Sequence, residues 1–166
     1  MQYSLPYFGE INLAQLEEYY QATTASGVKL DLNFEHTSVD VRMADLIKSW
    51  LQDIEQLDNQ NILAIQHDFA TGEGETRDYI RFYIEELENE EVAGIIGDAG
   101  SDEEKSTALL HKLRLKRVGF YPDGKYGTAD FAIFDYTIDI NGKPCDQLLV
   151  LKWKEPRQLA EITWES

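Results

Sequence analysis

Apolar residues along this chain change their spacing twice, and that double change restricts the fold more than any other feature. Val28, Leu30, Leu32 and Phe34 alternate with Lys29, Asp31, Asn33 and Glu35, the period of two of a strand with one buried face. Ser26-Gly27 supplies a turn before it, so residues 18–25 are the expected hairpin partner. From Met43 the spacing becomes three and four: Met43, Leu46, Ile47, Trp50, Leu51, Ile54 and Leu57 draw one apolar stripe along a long helix. After Leu115 the strand period returns. Strands, helices and strands again, without strict alternation, is the order of an α+β fold. The expected architecture is an antiparallel sheet from an N-terminal hairpin and a C-terminal meander, with about four helices from the middle of the chain on one face.

Local signals suggest the remaining elements. Thr37, with Asp40 three residues on, is a candidate cap for the long helix. A short second helix is expected after Asp58, with Ile62, Ile65 and Phe69 inward and Gly72 and Gly74 ending it. A third carries Tyr79, Ile80, Tyr83, Ile84 and Leu87 on one side. A fourth starts at Ser101, whose hydroxyl caps the amide near Glu104 while Glu104 reaches back, and it buries Leu109, Leu110 and Leu113. Between them EVAGIIGDAG (Glu91–Gly100) reads as a packed loop. Leu13, Leu16 and Tyr20 are compatible with a short helical turn. In Thr128–Ile140 the apolar positions switch from odd numbers (Phe131, Ile133) to even ones (Phe134, Tyr136, Ile138, Ile140). That switch calls for a β-bulge near residues 133–134 or for cover on both faces. Asn141-Gly142 is the strongest hairpin signal; Leu149, Leu151 and Trp153 share a face of the return strand. Ala160, Ile162 and Trp164 alternate in a last strand.

A chain of 166 residues suits a single domain, 1–166, whose core needs neither disulfide nor metal, and the lone Cys145 excludes an intrachain disulfide. Its charge is uneven. Residues 1–104 hold 23 acidic and 5 basic side chains, residues 105–166 hold 8 and 10, and the whole carries −16. Such a field opposes nucleic acid and anionic membranes, which both need positive charge on the protein. No stretch approaches the ~20 apolar residues of a membrane span, and Met1–Glu10 lacks the basic and apolar regions of a secretion signal, so a cytoplasmic location is expected. The acid is densest from Glu85 to Glu104, where no basic residue intervenes. That run reads as a solvated face, a docking surface for a basic protein or a divalent-cation site. The candidate docking residues are Glu85, Glu86, Glu88, Glu90, Glu91, Asp102, Glu103 and Glu104.

Catalytic signatures are sparse. His36, His67 and His111 are not spaced for a helical zinc site, and His67-Asp68 alone lacks the further ligands of a metal phosphohydrolase. His36 beside Glu35 is a candidate general base, but it also suits a strand end; His111, among Lys112, Arg114, Lys116 and Arg117, suits a helix C-terminus. Asp135, Asp139 and Asp146 are candidate calcium ligands or an acid–base pair, or the polar side of a sheet. Neither GxGxxG, GxxxxGK[ST] nor GxSxG occurs, and Cys145 beside Asp146 lacks an activating neighbour. No catalytic residue, metal or cofactor is assigned.

Two pairs of stretches are more distinctive. YSLPYFGEINLAQLEEYY (Tyr3–Tyr20) with VKLDLNFE (Val28–Glu35), and DFAIFDYTID (Asp130–Asp139) with DQLLVLKW (Asp146–Trp153), resemble a bacterial family known as domain of unknown function two thousand and four. The resemblance implies a small bacterial intracellular α+β protein and brings no activity, cofactor or catalytic residue with it.

The functional expectation is a non-enzymatic protein-binding module, for example an immunity-type inhibitor that docks a basic partner through the acidic run. The alternatives are a structural or assembly subunit with an apolar interface between copies, and a small carboxylate- and His-dependent hydrolase with or without a metal.

Overall fold

The computed structural model describes residues 1–98 and 100–166. The chain opens with a ribbon of β1 (Gln2–Leu5) and β2 (Gly9–Asn12), then forms the hairpin of β3 (Tyr19–Thr23) and β4 (Lys29–Asn33). Next come helices α1 (Val41–Gln52), α2 (Ile54–Thr71), α3 (Glu75–Glu86), α4 (Asn89–Ile96) and α5 (Asp102–Leu110). Strands β5 (Arg114–Phe120) and β6 (Ala132–Thr137), a ribbon of β7 (Asp139–Ile140) and β8 (Lys143–Pro144), and strands β9 (Leu148–Lys154) and β10 (Gln158–Glu165) complete it. The central sheet runs β10-β9-β6-β5-β4-β3. The α+β class expected from the spacing is the one adopted. Within the sheet every pair is antiparallel except β4 with β5. The helical segment between those two strands is a crossover long enough to bring the chain back parallel.

Alternate strand residues make the floor of the core: Leu30 and Leu32, Val118 and Phe120, Phe134 and Tyr136, Leu149 and Leu151 are all buried. Trp50 of α1 lies on that floor with its ring 6.4 Å from Phe120, 5.1 Å from Phe131 and 6.0 Å from Trp153. Its indole N–H donates to the Glu155 carboxylate, which meets the one polar need of a buried Trp. On α3 the Tyr79 and Tyr83 hydroxyls stand 2.8 Å apart, and Tyr79 also donates to the Gln147 carbonyl. Burial pushes the Tyr79 hydroxyl up to about 12.

Several local expectations are corrected. The stripe from Met43 to Leu57 spans two helices, because Asp53 leaves helical geometry between them and its N–H bonds to the Trp50 carbonyl three residues back. Ile54 and Leu57 remain buried across the bend, so apolar spacing could not register it. The cap of α1 is Asp40, which accepts from the Met43 amide at 2.8 Å, instead of Thr37. The second helix begins at Ile54, before Asp58, and ends at Gly72 as expected. EVAGIIGDAG is largely helical: α4 takes it up to Ile96 with Val92 buried, which makes five α-helices among the described residues, and Ala99 lies outside them. Ser101 caps Glu104 as expected, but Glu104 reaches the Ser101 hydroxyl and not its backbone. Leu13 is buried in a turn and Leu16 in irregular backbone beyond it, and Tyr20 lies in β3 instead of a helical turn.

The expected bulge sits on the neighbouring strand. β6 is regular through residues 133–134, while the β5–β6 register shifts between Leu115 and Arg117. β6 is covered on both faces, with Ala132, Phe134 and Tyr136 against the helices and Asp135 buried on the opposite side. A second shift between Leu159 and Glu161 leaves Ala160 exposed, so the inner positions of β10 are Leu159, Ile162 and Trp164. Asn141-Gly142 closes the β7–β8 ribbon with φ of 53° and 76°, the positive pair that a two-residue hairpin turn requires.

Candidate functional site

The acidic run folds into the end of α3, the whole of α4 and the first turn of α5. α3 lies across β9 and β10, α5 packs on α3, and α4 packs on both and on β7. Tyr79, Ile80 and Tyr83 turn inward, which leaves Glu85 and Glu86 exposed in the last turn of α3. Glu88 is the N-cap of α4; Glu90 and Glu91 occupy its first turn, where Glu91 accepts from the Glu88 amide at 3.2 Å. Asp102, Glu103 and Glu104 fill the first turn of α5. A helix N-terminus is partly positive, so carboxylates in the first turns of α4 and α5 are locally favourable. Glu85 and Glu86 are at the opposite pole, where the helix dipole disfavours them. Among the described residues, Glu103 is the one candidate in an ion pair, held by Arg77 at 2.9 and 3.1 Å. The hydrogen bond from Arg77 holds the Glu103 carboxyl below the usual carboxylate range.

A second polar centre lies on the sheet face turned away from the helices. The Arg117 guanidinium meets both oxygens of Asp31 at 2.6 and 2.8 Å, Asp135 Oδ2 at 3.1 Å and the Tyr121 hydroxyl at 2.8 Å. Asn33 donates to Asp31 at 2.6 Å. Burial works against the guanidinium charge, but the Asp31 carboxylate outweighs it and holds the Arg117 pKa above its ordinary value. Burial pushes the Asp135 carboxyl up, and the Arg117 charge opposes this without cancelling it. A cleft of about 330 Å³ beside this cluster also borders Lys152 and Glu165. Lys152 stands 3.3 Å from Glu161 and from Glu165. The centre ties β4, β5 and β6 together, with one guanidinium serving two carboxylates and the Lys152 ammonium serving two more.

No family model matches this chain, and neither does any curated protein or solved structure.

The other candidates are dispersed. His36 is exposed, and its Nδ1 lies 3.2 Å from Asp123, whose carboxylate also accepts the amides of Glu35 and His36 at 2.9 and 2.8 Å. Burial would push Asp123 up, but those hydrogen bonds outweigh it and hold the carboxyl below its ordinary range. His67 is exposed on α2, and His111 is the exposed C-cap of α5. Asp135 faces Arg117 while Asp139 pairs with Arg114 at 2.7 and 2.9 Å, so the two carboxylates answer to different cations. Cys145 is half-buried, and its thiol lies 3.7 Å from the Asp146 carboxylate. Among the described residues no three His, Cys, Asp or Glu side chains gather as a metal-ion cage.

Residue spacing alone does not bring Asp31, Arg117 and Asp135 together. One available signal was Asp31 inside the alternating strand VKLDLNFE, on the face opposite Leu30 and Leu32. Gly119, a glycine within a strand, was another, since it marks a close approach.

Proposed function

We propose that this protein is a binding module that docks a basic protein through the acid of α3, α4 and α5. One observation carries the reading: Glu85 and Glu86 sit exposed at the negative end of α3, and among the described residues no cation pairs with them. Folding alone favours a neutral or basic residue at that pole. Local choices that oppose stability are expected where function demands them. A basic partner would supply the missing countercharge and would be drawn in by the long-range field. An immunity-type inhibitor of a cationic enzyme fits this description.

The test compares the wild type with a variant in which Glu85, Glu86, Glu88, Glu90 and Glu91 are all Gln. Each is immobilised in lysate of the source cell and eluted with a salt gradient. The expected result is a basic protein held by the wild type, released by moderate salt and lost from the variant, with a slower association rate at low ionic strength once purified. Equal capture by both baits, or an unchanged association rate, overturns the reading.

A further inference from the structure

The two edges of the central sheet are finished differently. At the β10 edge the strand is broken by the bulge at Ala160, the Trp164 amide faces Glu75 of α3 at 3.4 Å, and Glu161 and Glu165 are tied to Lys152. Bulges, edge charges and covering elements are the means by which proteins prevent a further strand from adding to a sheet. The β3 edge has none of them. Its sequence, Tyr19-Tyr20-Gln21-Ala22-Thr23, contains no charge, proline or glycine, and its register with β4 runs unbroken from Tyr19 to Thr23.

The register also shows which backbone groups are free. The Phe34 amide donates to the Glu18 carbonyl and the Thr24 amide to the Val28 carbonyl, so residues 18, 20, 22 and 24 bond toward β4. Residues 19, 21 and 23 therefore point their N–H and C=O groups outward, and none of these groups has a hydrogen-bond partner among the described residues. All three residues are exposed, Tyr19 to 50%.

We propose that β3 is a homodimerisation edge, pairing antiparallel with β3 of a second copy about a two-fold axis at Gln21. In that register Tyr19 faces Thr23 of the second copy, Gln21 faces its counterpart and Thr23 faces Tyr19. Every outward group then finds a complement, because the spacing of 19, 21 and 23 is symmetric about its centre. A second copy also fits the charge distribution. α3, on which α4 and α5 pack, lies over β9 and β10, and six strands at the usual spacing put about 24 Å between the two edge strands. Joining two molecules at β3 keeps the two acidic surfaces far apart, beyond the Debye length of about 8 Å at physiological salt. Five residues of edge are less than a standard interface of about 1,600 Å², so the dimer is weak, and screening of the −16 on each copy strengthens it.

Sedimentation of the purified full chain, from about 5 to about 500 μM and at about 0.02 and 0.3 M salt, tests this. The expected result is a monomer–dimer equilibrium that tightens with salt. Amide exchange at the high concentration should slow at Tyr19, Gln21 and Thr23 and remain unchanged at Tyr20 and Ala22, which already bond to β4. Gln21→Pro removes only an outward N–H, and Gln21→Lys sets two ammonium groups against each other at the two-fold axis. Either, shown to be folded by circular dichroism, should weaken association at least ~10-fold. A wild type that stays monomeric throughout, or a dimer that both variants leave intact, overturns the proposal.

Discussion

Gly119 lies beneath the guanidinium of Arg117, so that the arginine can cross from β5 to Asp31 on β4. A Cβ at 119 would stand well inside contact distance of Arg117 Nη2 and 3.0 Å from Asp31 Oδ1. The parallel register supports the same contact, since Asp31 is the partner of Gly119 and Lys29 that of Arg117. The bulge in β5 completes the arrangement by placing Arg117 opposite Asp135; an unshifted register would put it opposite Phe134.

Gly119→Ala should therefore destabilise the fold by about 1–3 kcal/mol, the cost of overpacking a site that cannot give way freely. Asp31→Ala should cost more, about 3–5 kcal/mol, because it leaves a half-buried guanidinium without its main counterion. Denaturant titration of both variants at neutral pH measures the order and the sizes.

Two carboxylates should respond to pH with opposite signs. The Asp123 pKa is held below its ordinary 3.8, so its contribution is present above that pH and is lost as pH falls through the depressed folded value. The Asp135 pKa is raised above 3.8, so its contribution is greatest below that pH and declines as pH rises through the folded value. Denaturant midpoints across this range should show Asp123→Asn converging on the wild type in acid. The wild type should lose stability relative to Asp135→Asn as pH rises above 3.8.

Glu85→Gln and Glu86→Gln should each stabilise the protein by about 0.3–1 kcal/mol at low salt, since each removes a negative charge from the negative end of α3. The same changes should slow association with a basic partner. Thermal melts at two ionic strengths check the first effect: a gain that vanishes in high salt identifies it as electrostatic. Loss of stability on either substitution would show that these carboxylates serve the fold.

Thr76 is fully buried at the start of α3, and its hydroxyl has no hydrogen-bond partner among the described residues. Thr76→Val keeps the shape and removes the unmet hydroxyl, so a gain of about 1 kcal/mol in denaturant titration is expected. A comparable loss would reveal a bound water at that position.

Much of this architecture could be read from spacing, because burial of one side of a strand or helix leaves a local period in the chain. The faces of β4 and β9, the inward side of α3, the Ser101 cap and the Asn141-Gly142 turn all depend on residues within a few positions of one another. Features that spacing missed are of another kind. The bend at Asp53 keeps the apolar stripe continuous, and Arg157 holds the Asp53 carboxylate from 104 residues away. The bulge expected in β6 is in β5, since a shift of pairing belongs to two strands and a period can be read along only one.

The candidate docking residues were legible as a charge run, and their local density is a property of the chain. Their imbalance was not, since it depends on where α3 ends and on Arg77 reaching Glu103 but not its neighbours. Local spacing sets the inward faces of β4, β9 and α3, the turns that reverse the chain and the place where negative charge concentrates, because each depends on neighbours along the backbone. Spacing carries no sign that Arg117 meets Asp31 from 86 residues away and Asp135 from 18, or that one sheet edge is closed while the other is open. Those outcomes depend on strand order, register and one inserted residue, which arise only when distant segments pair.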